Sequence, residues 1–243
     1  MTERIVPPPA LPNREMQPVQ RIKGIIFDVD GTMVRSERLH VAAWEQSVRE
    51  FGSVLPESIR STMAGRKPAA IAAEIAGTLS LSISSEALLQ RKTELFMQSI
   101  ETGLEEMPGL TDVVKQLHEK GYRLGIGTST SADYISLVLQ RLGLKDMFDV
   151  IVTGDQVTKG KPDPETYQKV VEQLGLQPSE CVVIEDATNG ILAAKSAGCH
   201  CIAIEDTDQK SVQQDLSLAD ARIASFTELE QTLRRLSGEK TDK

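Results

Sequence analysis

The stretch IKGIIFDVDGT, residues 22–32, decides the reading of this chain. Residues 22–27 form a short apolar run that ends abruptly in Asp28-Val29-Asp30-Gly31-Thr32. Strands buried on both faces of a parallel sheet look like this: few residues, apolar throughout, polar residues at the carboxyl end. The pattern recurs outward from it. Residues 123–126 (RLGI) run into Gly127-Thr128-Ser129-Thr130, and residues 150–152 into Thr153-Gly154-Asp155. Residues 181–184 (CVVI) run into Glu185-Asp186, and residues 201–204 into Glu205-Asp206.

Helical patterns lie between these runs. Leu110, Val113, Val114 and Leu117 keep a 3.6-residue period, ended by Gly121. Ile135, Val138, Leu139 and Leu142 repeat it before Gly143, as do Tyr167, Val170, Val171 and Leu174 before Gly175. Ile191, Ala194 and Ala197 follow, stopped by Gly198. The alternation predicts an α/β fold, a Rossmann-like parallel sheet with helices on both faces.

One interval breaks the rhythm. Residues 36–107 carry helical patterns and no buried strand: Leu39, Ala43, Val48 and Phe51; Ile71, Ile75 and Leu79; Leu88, Leu95 and Ile100. The expected organisation is an α/β core over 21–33 and 108–238 with an inserted all-helical cap over 34–107. The proline-rich residues 1–20 and residues 239–243 read as tails, since proline suits neither a helix interior nor a sheet ladder.

Composition excludes several classes. The 243 residues carry a formal charge of −8, the opposite of the basic face that nucleic-acid binding needs. No apolar run reaches the roughly 18 residues of a membrane span, and no export signal is visible, so a cytoplasmic protein without membrane contact is expected. Three cysteines, Cys181, Cys199 and Cys201, do not suit a disulfide framework. Cys199-His200-Cys201 fits no standard zinc spacing, so these read as core thiols.

In open α/β sheets ligands bind beyond the carboxyl ends of the strands, which makes the polar run-ends the candidate chemistry. Asp28 and Asp30 leave one strand two residues apart. One can attack phosphorus while the other gives and takes a proton. Gly31 permits a tight turn, although Asp-Gly also simply closes strands. Glu185-Asp186 places two acids at another strand end, where a hard cation relieves their repulsion. Asp28, the Asp30 carbonyl and Asp186 can supply oxygen ligands, with Glu185 bound directly or through water. Lys161, in Gly160-Lys161-Pro162-Asp163-Pro164, can bridge a carboxylate and a phosphoryl oxygen. Lys159 beside it competes, so one of the two is surface. Thr128 and Ser129 can hold phosphoryl oxygens, and Ser131 suits the cap of the next helix.

In this order the motifs reach a known family. The chain resembles the haloacid dehalogenase-like hydrolases, in the branch of beta-phosphoglucomutase and sugar-phosphate phosphatases, over residues 21 to 235. The resemblance is carried by FDVDGT, His40-Val41-Ala42-Ala43-Trp44, Phe148-Asp149 before VIVTGD, GKPDPETY and VIEDATNGILAAKSAG. It implies Asp28 as phosphorylated nucleophile and Asp30 as acid/base. It further implies Thr128 and Lys161 as phosphate ligands, and magnesium at Asp186 and Glu185. Gly31, Thr32 and Ser129 are expected at the phosphate, and residues 34–107 as a mobile cap that selects a small phosphorylated metabolite.

His40 and Trp44 match a hinge-proximal pattern of the branch, though Trp44 serves core packing of the first cap helix equally well. Two departures stand out. Arg35 replaces the Asp of many relatives, and Pro68 takes the place of a phosphate-binding Arg of beta-phosphoglucomutase, leaving Arg66 or Lys67 as substitutes. A mutase must grip a bisphosphate in two orientations, so the missing cation favours a magnesium-dependent sugar-phosphate phosphatase. A beta-phosphoglucomutase-type mutase and a catalytically silent binding module are the rival readings.

Overall fold

A computed structural model describes residues 21–63, 66, 68–205 and 214–238. The expected tails and Lys67 lie outside these residues. Among the described residues the sheet has six parallel strands: β1 (Gly24–Phe27), β2 (Arg123–Gly127), β3 (Val150–Val152), β4 (Cys181–Glu185), β5 (His200–Ile204) and β6 (Ala221–Ile223). Their order is β3-β2-β1-β4-β5-β6, with every neighbouring pair parallel. The first strand is therefore central, and the chain builds outward from it first on one side and then on the other.

The order of α-helices is α1 (Glu37–Glu50), α2 (Glu57–Arg60), α3 (Pro68–Leu79), α4 (Ser85–Gly103), α5 (Leu110–Glu119), α6 (Ala132–Leu142), α7 (Glu165–Leu174), α8 (Thr188–Ser196) and α9 (Leu229–Leu236). Alternation along β1 assigns its side chains to two layers. Ile25 and Phe27 join the core of α5, α6 and α9, while Ile26 joins that of α7 and α8. The central strands are buried on both faces, which is why their sequences are apolar without alternation. Strand β6, with exposed Arg222, was not foreseen. The three cysteines are free and buried, as core thiols should be.

Helices α1 to α5 all lie between β1 and β2. Helices α1, α3 and α4 pack on one another around a separate core of Trp44, Val48, Ile71, Ile75 and Leu88. Trp44 is thus a packing residue. Two extended segments connect this insertion to the sheet. The Arg35 N–H donates to the Glu105 carbonyl at 2.9 Å, and the Met107 N–H to the Met33 carbonyl at 2.9 Å. The exit and return of the insertion are stitched together beside the Asp28 loop.

Candidate active site

Sheet register brings the motifs together. Phe27 pairs with Ile184 on one side and with Ile126 on the other, so the residues after these partners emerge side by side. The Asp28 N–H continues the ladder by donating to the Ile184 carbonyl at 3.0 Å. Asp28, Thr128 and Glu185 therefore share the carboxyl edge of the sheet, although 157 residues of sequence separate the first from the last.

Lys161 enters from the segment before α7. Its ammonium donates to Asp28 Oδ1 and to Glu185 Oε1, both at 2.6 Å. Its side chain is 8% exposed, so the three charges sit in a partly dry site. The Lys161-Pro162 peptide is cis. Lys159 is the surface lysine, pairing loosely with Asp163 at 3.8 Å.

Glu185 is fully engaged. Oε1 accepts from Lys161 and from the Tyr167 hydroxyl at 2.7 Å. Oε2 accepts from the backbone N–H groups of Asp186 and Ala187 at 3.0 and 3.1 Å. Four donors on two oxygens make it the anchor that aims Lys161. A Cβ on Gly190 would lie 1.7 Å from Glu185 Oε1, so only glycine lets α8 approach this close.

Asp186 accepts from the Thr32 hydroxyl at 3.1 Å. Gly31, with φ of +78°, turns the loop over it, and a Cβ there would meet Asp186 Oδ2 at 2.2 Å. The Gly31 and Thr32 N–H groups donate to the Val34 and Val29 carbonyls, and Thr32 is fully buried. These two residues shape the loop beside Asp186.

Asp28, Glu185 and Asp186 each bring a carboxylate oxygen within 4.8 Å of the others. Burial pushes the Asp28 carboxyl up to about 7, against the pull of Lys161 and with the push of Glu185. Burial first, then Glu185 and Asp28, drive the Asp186 carboxyl well above the usual range. One lysine does not compensate three acids. All the donors are oxygens, and the ionised cluster needs another positive charge, which is the environment a hard divalent cation fits.

Asp30 faces the other way. Its Oδ1 accepts from the Ser36 hydroxyl and, at 2.7 Å, from the Tyr134 hydroxyl of α6, with His40 Nε2 at 3.7 Å. Burial opposes its ionisation, but His40, Ser36 and Tyr134 outweigh that and hold the carboxyl below its ordinary value. His40 stacks on Phe96 with centroids 3.9 Å apart, and Lys92 Nζ lies 2.8 Å from its Nδ1. Sequence reasoning missed Lys92 and Tyr134. A lysine at 92 interrupting the apolar stripe of Leu88, Leu95 and Phe96 was a readable signal; Tyr134 merged into its helix's core stripe.

Thr128 is buried, its hydroxyl 2.9 Å from that of Thr130, and Ser129 is exposed beside it. Ser131 occupies the N-cap position of α6 without a side-chain cap bond; Asp155 Oδ2 accepts from the Ala132 N–H instead. Arg66 is paired with Glu74 of α3 at 2.5 Å.

Comparison with known proteins agrees with this geometry. The family model described as haloacid dehalogenase-like hydrolase matches residues 25–204. Validoxylamine A 7'-phosphate phosphatase of Streptomyces hygroscopicus subsp. limoneus is 33% identical over 215 residues, covering 85% of this chain and 95% of that protein. Fructose-1-phosphate phosphatase YqaB of Escherichia coli K12 is 33% identical over 186 residues, covering 76% and 97%. The crystal structure of CbbY from Rhodobacter sphaeroides in complex with phosphate superposes with a TM-score of 0.73 at 28% identity, covering 86% of this chain and 96% of that one.

Proposed function

We infer that this chain, which belongs to the haloacid dehalogenase-like hydrolases in the branch of beta-phosphoglucomutases and sugar-phosphate phosphatases, hydrolyses a small sugar phosphate through a phospho-aspartate on Asp28. The observation that carries the reading is the Lys161 ammonium, 2.6 Å from Asp28 and from Glu185, at the sheet edge where Thr128 also emerges. Relatives that act on phosphorylated carbohydrates at 33% identity support the substrate class.

In the first step an Asp28 oxygen attacks phosphorus. The ester P–O bond breaks, its electron pair stays on the sugar oxygen, and Asp30 supplies that oxygen's proton. Water then attacks the phospho-aspartate and gives a proton to Asp30. The P–O bond to Asp28 breaks and its electrons return to the carboxylate. The sum is monoester plus water to alcohol plus phosphate. Lys161 and Thr128, with Ser129, hold phosphoryl oxygens, and Glu185 keeps Lys161 in line. Asp28, Asp186 and the Asp30 carbonyl would hold magnesium, with Glu185 beside them, and the bound ion would supply positive charge for those oxygens.

Residues 34–107 serve as the cap that selects the substrate, with His40 at its hinge and Arg66 and Lys67 on its specificity segment. Mutase chemistry is disfavoured because Pro68 opens α3 and the neighbouring Arg66 is already paired with Glu74. Phosphate release from a panel of sugar phosphates, with and without magnesium, tests the reading. Asp28→Asn abolishes turnover; retained turnover overturns the nucleophile assignment. Isomerisation of a sugar 1-phosphate faster than its hydrolysis would instead mark a mutase.

A further inference from the structure

Tyr134 lies outside every motif that led to the site, yet its hydroxyl reaches the proton-transfer residue. It projects from α6, is 2% exposed, and donates to Asp30 Oδ1 at 2.7 Å. The Ser36 hydroxyl, from the segment leading into the cap, donates to the same oxygen. Both hydroxyls thus grip one oxygen of a carboxyl group whose side chain is still one-quarter exposed. Packing alone asks only for a phenyl ring at 134, against Phe96 at 5.2 Å; the phenol oxygen is a separate feature that burial leaves costly unless it is used.

We propose that Tyr134 is a positioning residue for the acid/base step, anchoring Asp30 Oδ1 so that Oδ2 alone meets the leaving group and the attacking water. This rests on the phosphatase reading above. The division survives the proton cycle. When Oδ2 carries the proton, Oδ1 is a carbonyl oxygen and still accepts from both hydroxyls. In the first step the Oδ2–H bond breaks, its electrons stay on Oδ2, and the proton joins the sugar oxygen. In the second the water proton returns to Oδ2. Tyr134 only donates its hydrogen bond to Oδ1 and takes no part in the transfer.

The test compares two leaving groups with magnesium present in rapid-quench single turnovers. A hexose phosphate needs a proton on its departing oxygen, whereas p-nitrophenyl phosphate leaves as a stable anion. Tyr134→Phe keeps the ring. It is expected to slow first-turnover sugar release about 10- to 100-fold, part of the roughly 100- to 10,000-fold that a positioned acid contributes, with KM little changed. Its first-turnover nitrophenolate burst stays within about 3-fold of the unsubstituted protein. Equal slowing of both first turnovers, or no slowing of either, overturns the proposal. Should Tyr134→Phe not fold, Ser36→Ala strips the other hydroxyl from the same oxygen and must show the same split; its absence there is equally decisive. An unsubstituted protein that releases phosphate from neither substrate overturns the phosphatase reading and this proposal together, while an active protein whose variants show no split overturns this proposal alone.

Discussion

Lys92 Nζ lies 2.8 Å from His40 Nδ1 inside the helical insertion, with Trp44 and Phe96 rings on its flanks and, among the described residues, no carboxylate in direct contact. An ammonium can only donate, so Nδ1 is the acceptor and His40 carries its proton on Nε2, toward Asp30. Lys92 thus fixes which face of the imidazole looks at Asp30.

Burial lowers the Lys92 ammonium to about 8, with Asp30 opposing. An unfolded lysine titrates near 10.4. Below about pH 8 both states hold the proton and stability is flat. Between about 8 and 10.4 the native state holds fewer protons, so this site makes stability rise with pH. Across that window the contribution is about 3 kcal/mol at most. Lys92→Met should therefore raise the denaturation midpoint at pH 7, and its advantage over the unsubstituted protein should shrink toward pH 10. Parallel midpoint curves would rule out a depressed Lys92.

Asp28 and Asp186 run in the other direction. Their raised carboxyls mean that the metal-free native state binds more protons than the unfolded chain from about pH 4 up to about 7 for Asp28. Metal-free stability falls as pH rises across that window. Magnesium needs the ionised acids, so it should raise the melting temperature more at pH 8 than at pH 6. At one hundred times its dissociation constant the stabilisation is about 2.7 kcal/mol. Asp186→Asn should remove most of the magnesium-dependent shift. Thermal melts with magnesium and with a chelator read it directly.

Gly190→Ala tests how closely helix α8 must approach Glu185. The added Cβ overlaps Oε1, so either the helix retreats or the carboxylate turns. Overpacking of this kind costs about 1–3 kcal/mol. A turned Glu185 also releases Lys161, so phosphate release should drop about 100-fold or more. A variant that melts lower but turns over normally would separate Glu185 from catalysis.

What could be read from sequence follows from what is local. Residues 181–184 were legible because a strand covered on both faces is apolar in unbroken sequence, and the acids after it stand out against that run. Ala221-Arg222-Ile223 was not, because an edge strand of three residues with an outward arginine has no such run. The meeting of Asp28 and Glu185 was legible from strand ends, and Lys161 from its Gly-Lys-Pro-Asp-Pro setting and the family resemblance. The grip of Tyr134 on Asp30 spans 104 residues and depends on how α6 lies across the sheet, which no local pattern encodes. Ser131 shows the converse: its position at the helix start was readable, but the cap bond went to Asp155, a residue beyond the same helix.

Glu185→Gln is the sharpest test of the site's wiring, because the change is nearly isosteric and fails for a reason of hydrogen-bond parity. Both carboxylate oxygens accept, Oε1 from Lys161 and Tyr167 and Oε2 from two backbone N–H groups. A glutamine offers one accepting oxygen and one donating amide. If the amide faces the backbone, two N–H groups lose their acceptor; if it faces Lys161, an ammonium and a phenol do. Either orientation leaves buried donors opposed, and breaking a buried charge pair costs about 3–5 kcal/mol. Denaturant titration should show a loss of that order. Phosphate release should fall steeply because Lys161, freed from Glu185, no longer has two fixed points to lie between. Unchanged stability in Glu185→Gln would mean that Lys161 is held by Asp28 alone, and the anchoring role assigned to Glu185 would be withdrawn.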